Sequence, residues 1–294
     1  MTAQKRAWVL NLEADDQRAR GRGWTPSRAL CALIDARAQT LALTLVRPGD
    51  VVLERDDERV IGDEYVGAAW SVTDRAIAQW KRARVRIAAT PSPALVDRVS
   101  SRAFAQRLTP SEPREIEVRR ATLAETALPE GPARVSSEHT CAGRGHFTAE
   151  NAAQTRNILE RVLAKHERAY VAERVEVQDD FALHGWISRD RSVTLGAPTE
   201  QRVDRRTGAW IETISAAAES LSNRERDALF SRALEAGAAL ADEGYFGPFG
   251  IDAFRYRDRD GRPRFCARCE VNARYTMGWA IGMRAVRGAI DGDD

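Results

Sequence analysis

The stretch from Arg264 to Gly278, RFCARCEVNARYTMG, decides how the chain is to be read. It holds a Cys-x-x-Cys pair (Cys266, Cys269) and an alternating polar set, Glu270, Asn272 and Arg274. Upstream lie FGIDAFRYRD (249–258) and a turn at 259–262, where Asp260-Gly261 is the signal for a β-hairpin. Folding back about that turn pairs residues whose numbers sum to about 521, which sets Asp252 opposite Glu270 to within one residue. Facing residues of an antiparallel pair project to the same side with Cβ atoms roughly 4.5–5.5 Å apart. Glu270, Asn272 and Arg274 alternate and so share that side. Two carboxylates, an amide oxygen and a guanidinium then converge. That set suits magnesium, which prefers oxygen ligands and shares them with substrate phosphates, with Arg274 balancing charge on a transferred phosphoryl group. A plain solvated sheet face would show the same alternation.

The Cys-x-x-Cys pair makes the weaker claim. A zinc site would need two further ligands, and no second Cys-x-x-Cys or His-x-x-x-His supplies them. Residues three apart on a strand point to opposite faces. With Cys31 and Cys141 the chain has four scattered cysteines, too few for a disulfide framework in 294 residues. The pair reads as two ordinary half-buried thiols.

Working outward, 43% apolar and 30% charged residues describe a globular chain long enough for two or three cores. A net charge of +2 gives no electrostatic case for nucleic acid or for an anionic membrane. No apolar run approaches the roughly 20 residues of a membrane span, and MTAQKRAWVLNLEADD reaches acidic residues too soon for a signal peptide, so a cytoplasmic protein is expected. Only Lys5, Lys81 and Lys165 are lysines among 45 basic residues, so arginine is expected where lysine would otherwise serve.

The first hundred residues alternate apolar runs with helical patterns. AWVLNLE, VVLER and RVRIAA read as strands, and TPSRALCALIDARAQT and TDRAIAQWKRA as helices, the rhythm of a small Rossmann-like open α/β sheet. Trp24, Trp70 and Trp80 read as core or interface residues, and NLEADDQRARGRGWTPS as a loop suited to a substrate face. A Pro- and Glu-rich linker around 110–113 follows ALVDRVSSRAFAQRL. Beyond it, ARVSSEH reads as a strand, TCAGRGH as a glycine loop, and Ala149 to His166 as an amphipathic helix with Ile158, Val162 and Leu163 on one face. AYVAERVEV and FALHGWIS read as strands, and Ser222-Asn-Arg-Glu225 as a capping box opening a helix that ends at Gly244. Gly143 and Gly145 would let backbone amides approach phosphates, as an ordinary strand-to-helix turn also would place them. Glu173 and Asp180, seven residues apart, would accept from an adenine amino group and a ribose hydroxyl, or stand as surface charges.

In this order, glycine loop, hinge strand with Glu173, second acid Asp180, FGIDAF and CEVNAR, the pieces resemble the ATP-grasp superfamily from about Arg102 to Gly278, with AGRGH closest to the biotin-carboxylase branch. The resemblance implies an α/β fold: a pre-ATP-grasp-like open sheet over 1–100, a lobe with the glycine loop over 101–175, and a lobe with the magnesium site over 176–294. It implies that Asp252, Glu270 and Asn272 hold Mg2+, that Arg274 steadies a phosphorylated intermediate, and that Ala142, Gly143, Arg144 and Gly145 cover the triphosphate of ATP. Val175 would offer backbone groups to adenine beside Glu173, with Asp180 on the ribose.

One departure stands out. A lysine that the family usually carries eight residues before the loop arginine is here Ser136, and an earlier one falls near Arg102. Arg102 keeps the charge without the ammonium geometry. Arg134, two residues from Ser136 and so on the same strand face, would replace the other, with His139 a lesser substitute. The implied activity is that of a ligase that activates a small carboxylate as an acyl phosphate for an amine, releasing ADP and phosphate. The alternative is a degenerate member that binds a nucleotide or metabolite without turnover. The identities of acid and amine are not legible, and a homodimer is left open.

Overall fold

The computed structural model describes residues 4–290 apart from 22, 56, 142–143 and 205–209. The elements run β1 (Arg6–Val9), α1 (Ala14–Arg20), α2 (Arg28–Leu45), β2 (Val51–Val52), β3 (Val66–Ala69), α3 (Asp74–Arg82), α4 (Pro93–Val99) and α5 (Arg102–Gln106). Then come β4 (Glu115–Arg119), β5 (Ala133–Cys141), β6 (Arg144–Ala149), α6 (Ala152–Leu163), β7 (Arg168–Glu173), β8 (Glu176–Ile187), β9 (Val193–Leu195), β10 (Thr199–Val203) and β11 (Trp210–Ser215). The chain continues through α7 (Asn223–Asp242), β12 (Gly247–Arg257), β13 (Pro263–Asn272), α8 (Trp279–Gly282) and α9 (Arg287–Ile290).

Three sheets result. The first is parallel in the order β2-β1-β3, the open α/β layer expected at the N-terminus. Two of its details differ from the sequence reading. RVRIAA forms only an isolated bridge, Val66 to Arg86, beside β3, and Arg84 takes a positive φ of 54° that interrupts an extended run. The edge strand is instead VGAA, whose small residues show no alternation. NLEADDQRAR is also not all loop. Past β1 the Asn11 side chain donates to Ser71 O (2.9 Å) and to Thr73, tying the strand ends together, and α1 follows directly.

The second sheet is antiparallel in the order β4-β7-β5-β6, with α6 packed on it through Ile158, Leu159, Val162 and Leu163. The α6 helix is shorter than expected because Asn151 caps it, accepting from Gln154 N at 3.0 Å. The third sheet runs β11-β10-β8-β12-β13, with β9 also on β8. AYVAERVEV therefore spans the end of one sheet and the start of the next. The inner face of the third sheet, Phe181, Leu183, Phe249, Ile251 and Val271, buries against α7. The expected capping box opens α7: Ser222 Oγ accepts from Glu225 N (3.3 Å), and Glu225 accepts from Ser222 N (2.9 Å).

An aromatic cluster joins the first sheet to the third: Trp8 and Trp70 pack with Trp186, Tyr275 and Trp279, and Tyr275 N donates to Trp70 O at 3.1 Å. Trp80 is buried beneath the opposite face of the first sheet, while Trp24 is half-buried under the Arg20 guanidinium. No helix among the described residues is long and apolar enough to cross a membrane.

Candidate active site

A cleft of about 980 Å³ lies where the three sheets approach one another. Its floor is the outer face of the third sheet, and register assembles that floor. Asp252 pairs with Glu270, as the hairpin arithmetic required, and Gly250 pairs with Asn272. On the other side Asp252 pairs with Ala182, which pairs in turn with Thr199 of β10; Asp180 stands between Phe254 and Gln201. Alternation places Asp180, Gln201, Asp252, Glu270 and Asn272 on one face. Small residues at 182 and 250 keep the floor open.

Asp252 and Asn272 are in contact. Asn272 Nδ2 donates to Asp252 Oδ2 (2.9 Å), and Gln201 Nε2 donates to Asp252 Oδ1 (2.7 Å). Glu270 accepts from Thr140 Oγ1 at 3.3 Å, a link from the glycine-loop strand to the floor. Burial pushes both carboxyls above the ordinary carboxylate range; Arg102 opposes this at Glu270, and Asp252 adds to it there by repulsion. Two acids sharing a site with raised proton affinity, beside an amide oxygen, form a donor set that a divalent cation would relieve. The residues present therefore fit magnesium.

Arg274 lines the same cleft and turns toward the first sheet. Its Nε and Nη2 donate to Asp15 Oδ2 (2.8 and 2.6 Å), its Nη1 donates to Tyr275 O (3.0 Å), and its guanidinium lies 5.6 Å from the Trp70 ring. Trp70 thus belongs to the site as well as to the core. Asp15 also accepts from Arg18 Nη1 at 2.7 Å. Burial raises its carboxyl, but Arg274 and Arg18 outweigh burial and hold it below the ordinary range. Arg144 of the glycine loop reaches the same helix, donating from Nε to Asp16 Oδ1 at 3.0 Å. The acidic first turn of α1 therefore holds both the floor arginine and the loop arginine.

Among the expected phosphate cations, Arg134 lines the cleft and Arg102 does not. Arg102 is buried on α5 and donates to both oxygens of Glu115 (2.8 and 3.0 Å). Ser136 is wholly buried and hydrogen-bonded to His146 Nδ1 at 2.9 Å, so it brings no charge to the lysine position. Arg134 faces the same way as Ser136, since their partners across the hairpin, Thr148 and His146, both line the cleft. His139 lines a different surface, beside Glu138 and His166. Gly145 takes φ +85°, and a Cβ there would stand 2.6 Å from Ser137 Oγ, so glycine is required. Ala142 and Gly143 lie outside the described residues.

At the far end Glu173, Val175 and Asp180 line the cleft with Phe254. Glu173 is ion-paired to Arg259. Cys266 and Cys269 straddle a bulge, because the pairing shifts between Asp252 and Phe254 and leaves one residue of β12 opposite three of β13. Burial pushes the Cys266 thiol up to about 11 and Cys269 well above its ordinary value. No group of three His, Cys, Asp or Glu suited to a metal occurs among the described residues. The thiols are thus structural. The opposite end, beyond Arg274, is walled by Leu30, Leu33 and Ile34 of α2 together with Met277, and Arg37 stands among them. Every cation on the cleft lining is an arginine.

The sequence reading missed Asp15, Asp16, Gln201 and Thr140. Only the first two left a signal, the Glu-Ala-Asp-Asp run on a segment already assigned to a substrate face.

Comparison with protein-family models finds no match, and neither does comparison with curated proteins. Solved structures do match. The N5-carboxyaminoimidazole synthetase of Staphylococcus aureus, solved with ADP, aligns at TM-score 0.52 and 12% identity over 94% of this chain and 72% of that one. The D-alanyl-alanine synthetase A of Vibrio cholerae aligns at 0.52 and 11% over 92% and 89%. The D-alanine–D-alanine ligase of Bacillus anthracis, solved with ATP, aligns at 0.50 and 9% over 92% and 86%. An open parallel sheet, a lobe bearing the glycine loop and a sheet floor carrying paired acids, aligned over nearly the whole chain with these enzymes, give this protein the ATP-grasp fold.

Proposed function

We propose that the protein is an ATP-dependent ligase that activates a small carboxylate as an acyl phosphate, which an amine then attacks with release of ADP and phosphate. The observation that carries this reading is the convergence of Asp252, Glu270 and Asn272 on one sheet face, with Arg274 just past the strand end, in a single cleft. Asp252, Glu270 and Asn272 would hold magnesium, which when bound neutralises phosphate charge. Gln201 and Asn272 fix the Asp252 carboxylate from two directions. Arg274 would exchange part of its contact with Asp15 for the oxygens of the transferred group. Arg134 and Arg144 would face the phosphates, with Arg102 acting from behind through Glu115 and Glu270. Glu173, Val175 and Asp180 would meet the nucleoside. The apolar wall at Leu30, Leu33 and Met277 favours a carboxylic acid with an apolar body. We assign 1–100, 101–175 and 176–294 as the three structural units and place the protein in the cytoplasm.

The neutral Ser136 at the lysine position favours a second reading, a nucleotide or metabolite binder without turnover. Calorimetric titration with ATP, with and without magnesium, tests both, followed by ADP release from acids and amines with wild type and Glu270→Gln. Magnesium-dependent binding and turnover lost in Glu270→Gln are expected. Binding without turnover by any acid tested favours the second reading, and no binding at millimolar ATP overturns the ligase reading and leaves a degenerate member.

A further inference from the structure

A second cavity of about 260 Å³ lies behind the cleft, between the 105–117 segment and the bulge of β13. It shares Pro113, Arg134, Phe254 and Cys269 with the main cleft, so the two adjoin at the Val175 end. Exposed Gln106, Pro110 and Arg114 form its outer rim.

Its polar lining is out of balance. Arg268 is only 5% exposed. Its Nη2 donates to Thr109 O at 2.7 Å, its Nε has no partner, and it forms no ion pair with any carboxylate among the described residues. Glu235, the acid acting on it most strongly, is occupied by Thr109 N (2.6 Å) and Arg232 (3.1 Å). Burial, with a smaller contribution from the Arg232 charge, pushes the Arg268 guanidinium below its ordinary value.

The two acids that line the chamber are also committed elsewhere. Glu115 accepts from Arg102 at 2.8 and 3.0 Å and from Gln106 at 3.2 Å, with Arg134 at 3.7 Å. Glu117 accepts from Arg119 at 2.7 Å, with Arg168 at 3.9 Å. Arg134 Nε and Ser111 Oγ are, like Arg268 Nε, buried without partners. Buried cations are normally paired, and a buried donor left unsatisfied is costly. Three such donors on one small chamber form a cationic recess built for acceptor oxygens.

We propose that this chamber binds a small oxyanion, either inorganic phosphate or the phosphate end of a metabolite, held by Arg268, Arg134 and Ser111. Arg134 is shared with the phosphate-facing set proposed above, whereas Arg268 and Ser111 line this chamber and not the main cleft, so variants at those two positions report on this site apart from the ligase reading. Calorimetric titration of the full chain with inorganic phosphate, and separately with phenyl phosphate, tests it on wild type, Arg268→Met, Ser111→Ala and Arg274→Met. Phosphate should bind about tenfold more weakly to Arg268→Met than to wild type, and several-fold more weakly to Ser111→Ala. Tighter binding of phenyl phosphate than of phosphate assigns the anion to a larger metabolite, and the reverse order assigns it to the free ion. Equal affinity in wild type, Arg268→Met and Ser111→Ala overturns the proposal, as does the absence of binding to wild type or a loss confined to Arg274→Met. If Arg268→Met fails to fold, Ser111→Ala decides, because it removes one hydroxyl and leaves the buried charge in place.

Discussion

Asp15→Asn removes the negative charge on which the first sheet and the floor of the cleft meet. The Asp15 side chain is 9% exposed and receives N–H donors from Arg18 (2.7 Å) and from Arg274 (2.8 and 2.6 Å). Asparagine keeps one acceptor but turns an amide donor toward the guanidinium groups, leaving two cations facing each other. Removing one partner of a buried ion pair costs about 3–5 kcal/mol. Arg18 retains Asp97 (2.8 Å) and Ser71 (2.7 Å), and Arg274 retains Tyr275 O, so the cost falls to the lower bound of that range or just under it, about 2–3 kcal/mol. For chains near this size each kcal/mol shifts the melting temperature by roughly 2–4 °C, so thermal unfolding should move down by about 5–10 °C. Nucleotide binding should move the other way, because Arg274 is released toward phosphate. Asp97→Asn is the control: its side chain is 53% exposed, and the pair it makes with Arg18 should contribute at most about 1 kcal/mol. A melting temperature for Asp15→Asn within about 2 °C of wild type would refute the reasoning.

The remaining predictions concern the buried ring at 184, the thiols and the metal set. His184 is held between Thr199 (3.0 Å) and Thr276 (2.8 Å), and burial pushes its pKa down to about 3. The unfolded chain then binds the proton first, so this contribution is complete above about pH 6.5 and is lost at roughly 1.4 kcal/mol per pH unit as pH falls toward 3. Denaturation at pH 7, 6 and 5 should show that slope in wild type and a shallower one in His184→Gln; identical slopes would remove the assignment. Cys266→Ser combined with Cys269→Ser should lower stability by about 1–3 kcal/mol through burial of hydroxyls while calorimetry shows nucleotide binding nearly unchanged, and a large loss of binding would give the pair a role that the geometry does not. Glu270→Gln should abolish magnesium-dependent ADP release, since it removes one of the two charged oxygen donors of the floor, and retained turnover would move the metal elsewhere.

The site was most legible where local rules act alone. Asp260-Gly261 fixes the turn and alternation fixes the face, so the Asp252–Glu270 pairing follows from residue numbers. The bulge escaped that arithmetic because Cys266 to Cys269 carries no residue that announces a break in register. The β3 strand was hidden because VGAA lacks a hydrophobic period, and its place in the sheet comes from pairing with β1 nearly sixty residues upstream. Helix α1 is too short and too charged to declare itself, and Arg274 and Arg144 hold its acids from distant elements. Gln201 meets Asp252 across an intervening strand, a neighbour that no local pattern supplies.

The arginine-only lining of the cleft has a consequence for control in the cell. Acetylation erases the charge of an amine, and amine-directed reagents need a neutral nitrogen; the guanidinium offers neither opportunity. Lysine, the amine such chemistry needs, is absent from this lining among the described residues. Amine-directed modification therefore leaves the positive charge of the pocket untouched, and control by that route must act on residues outside the cleft.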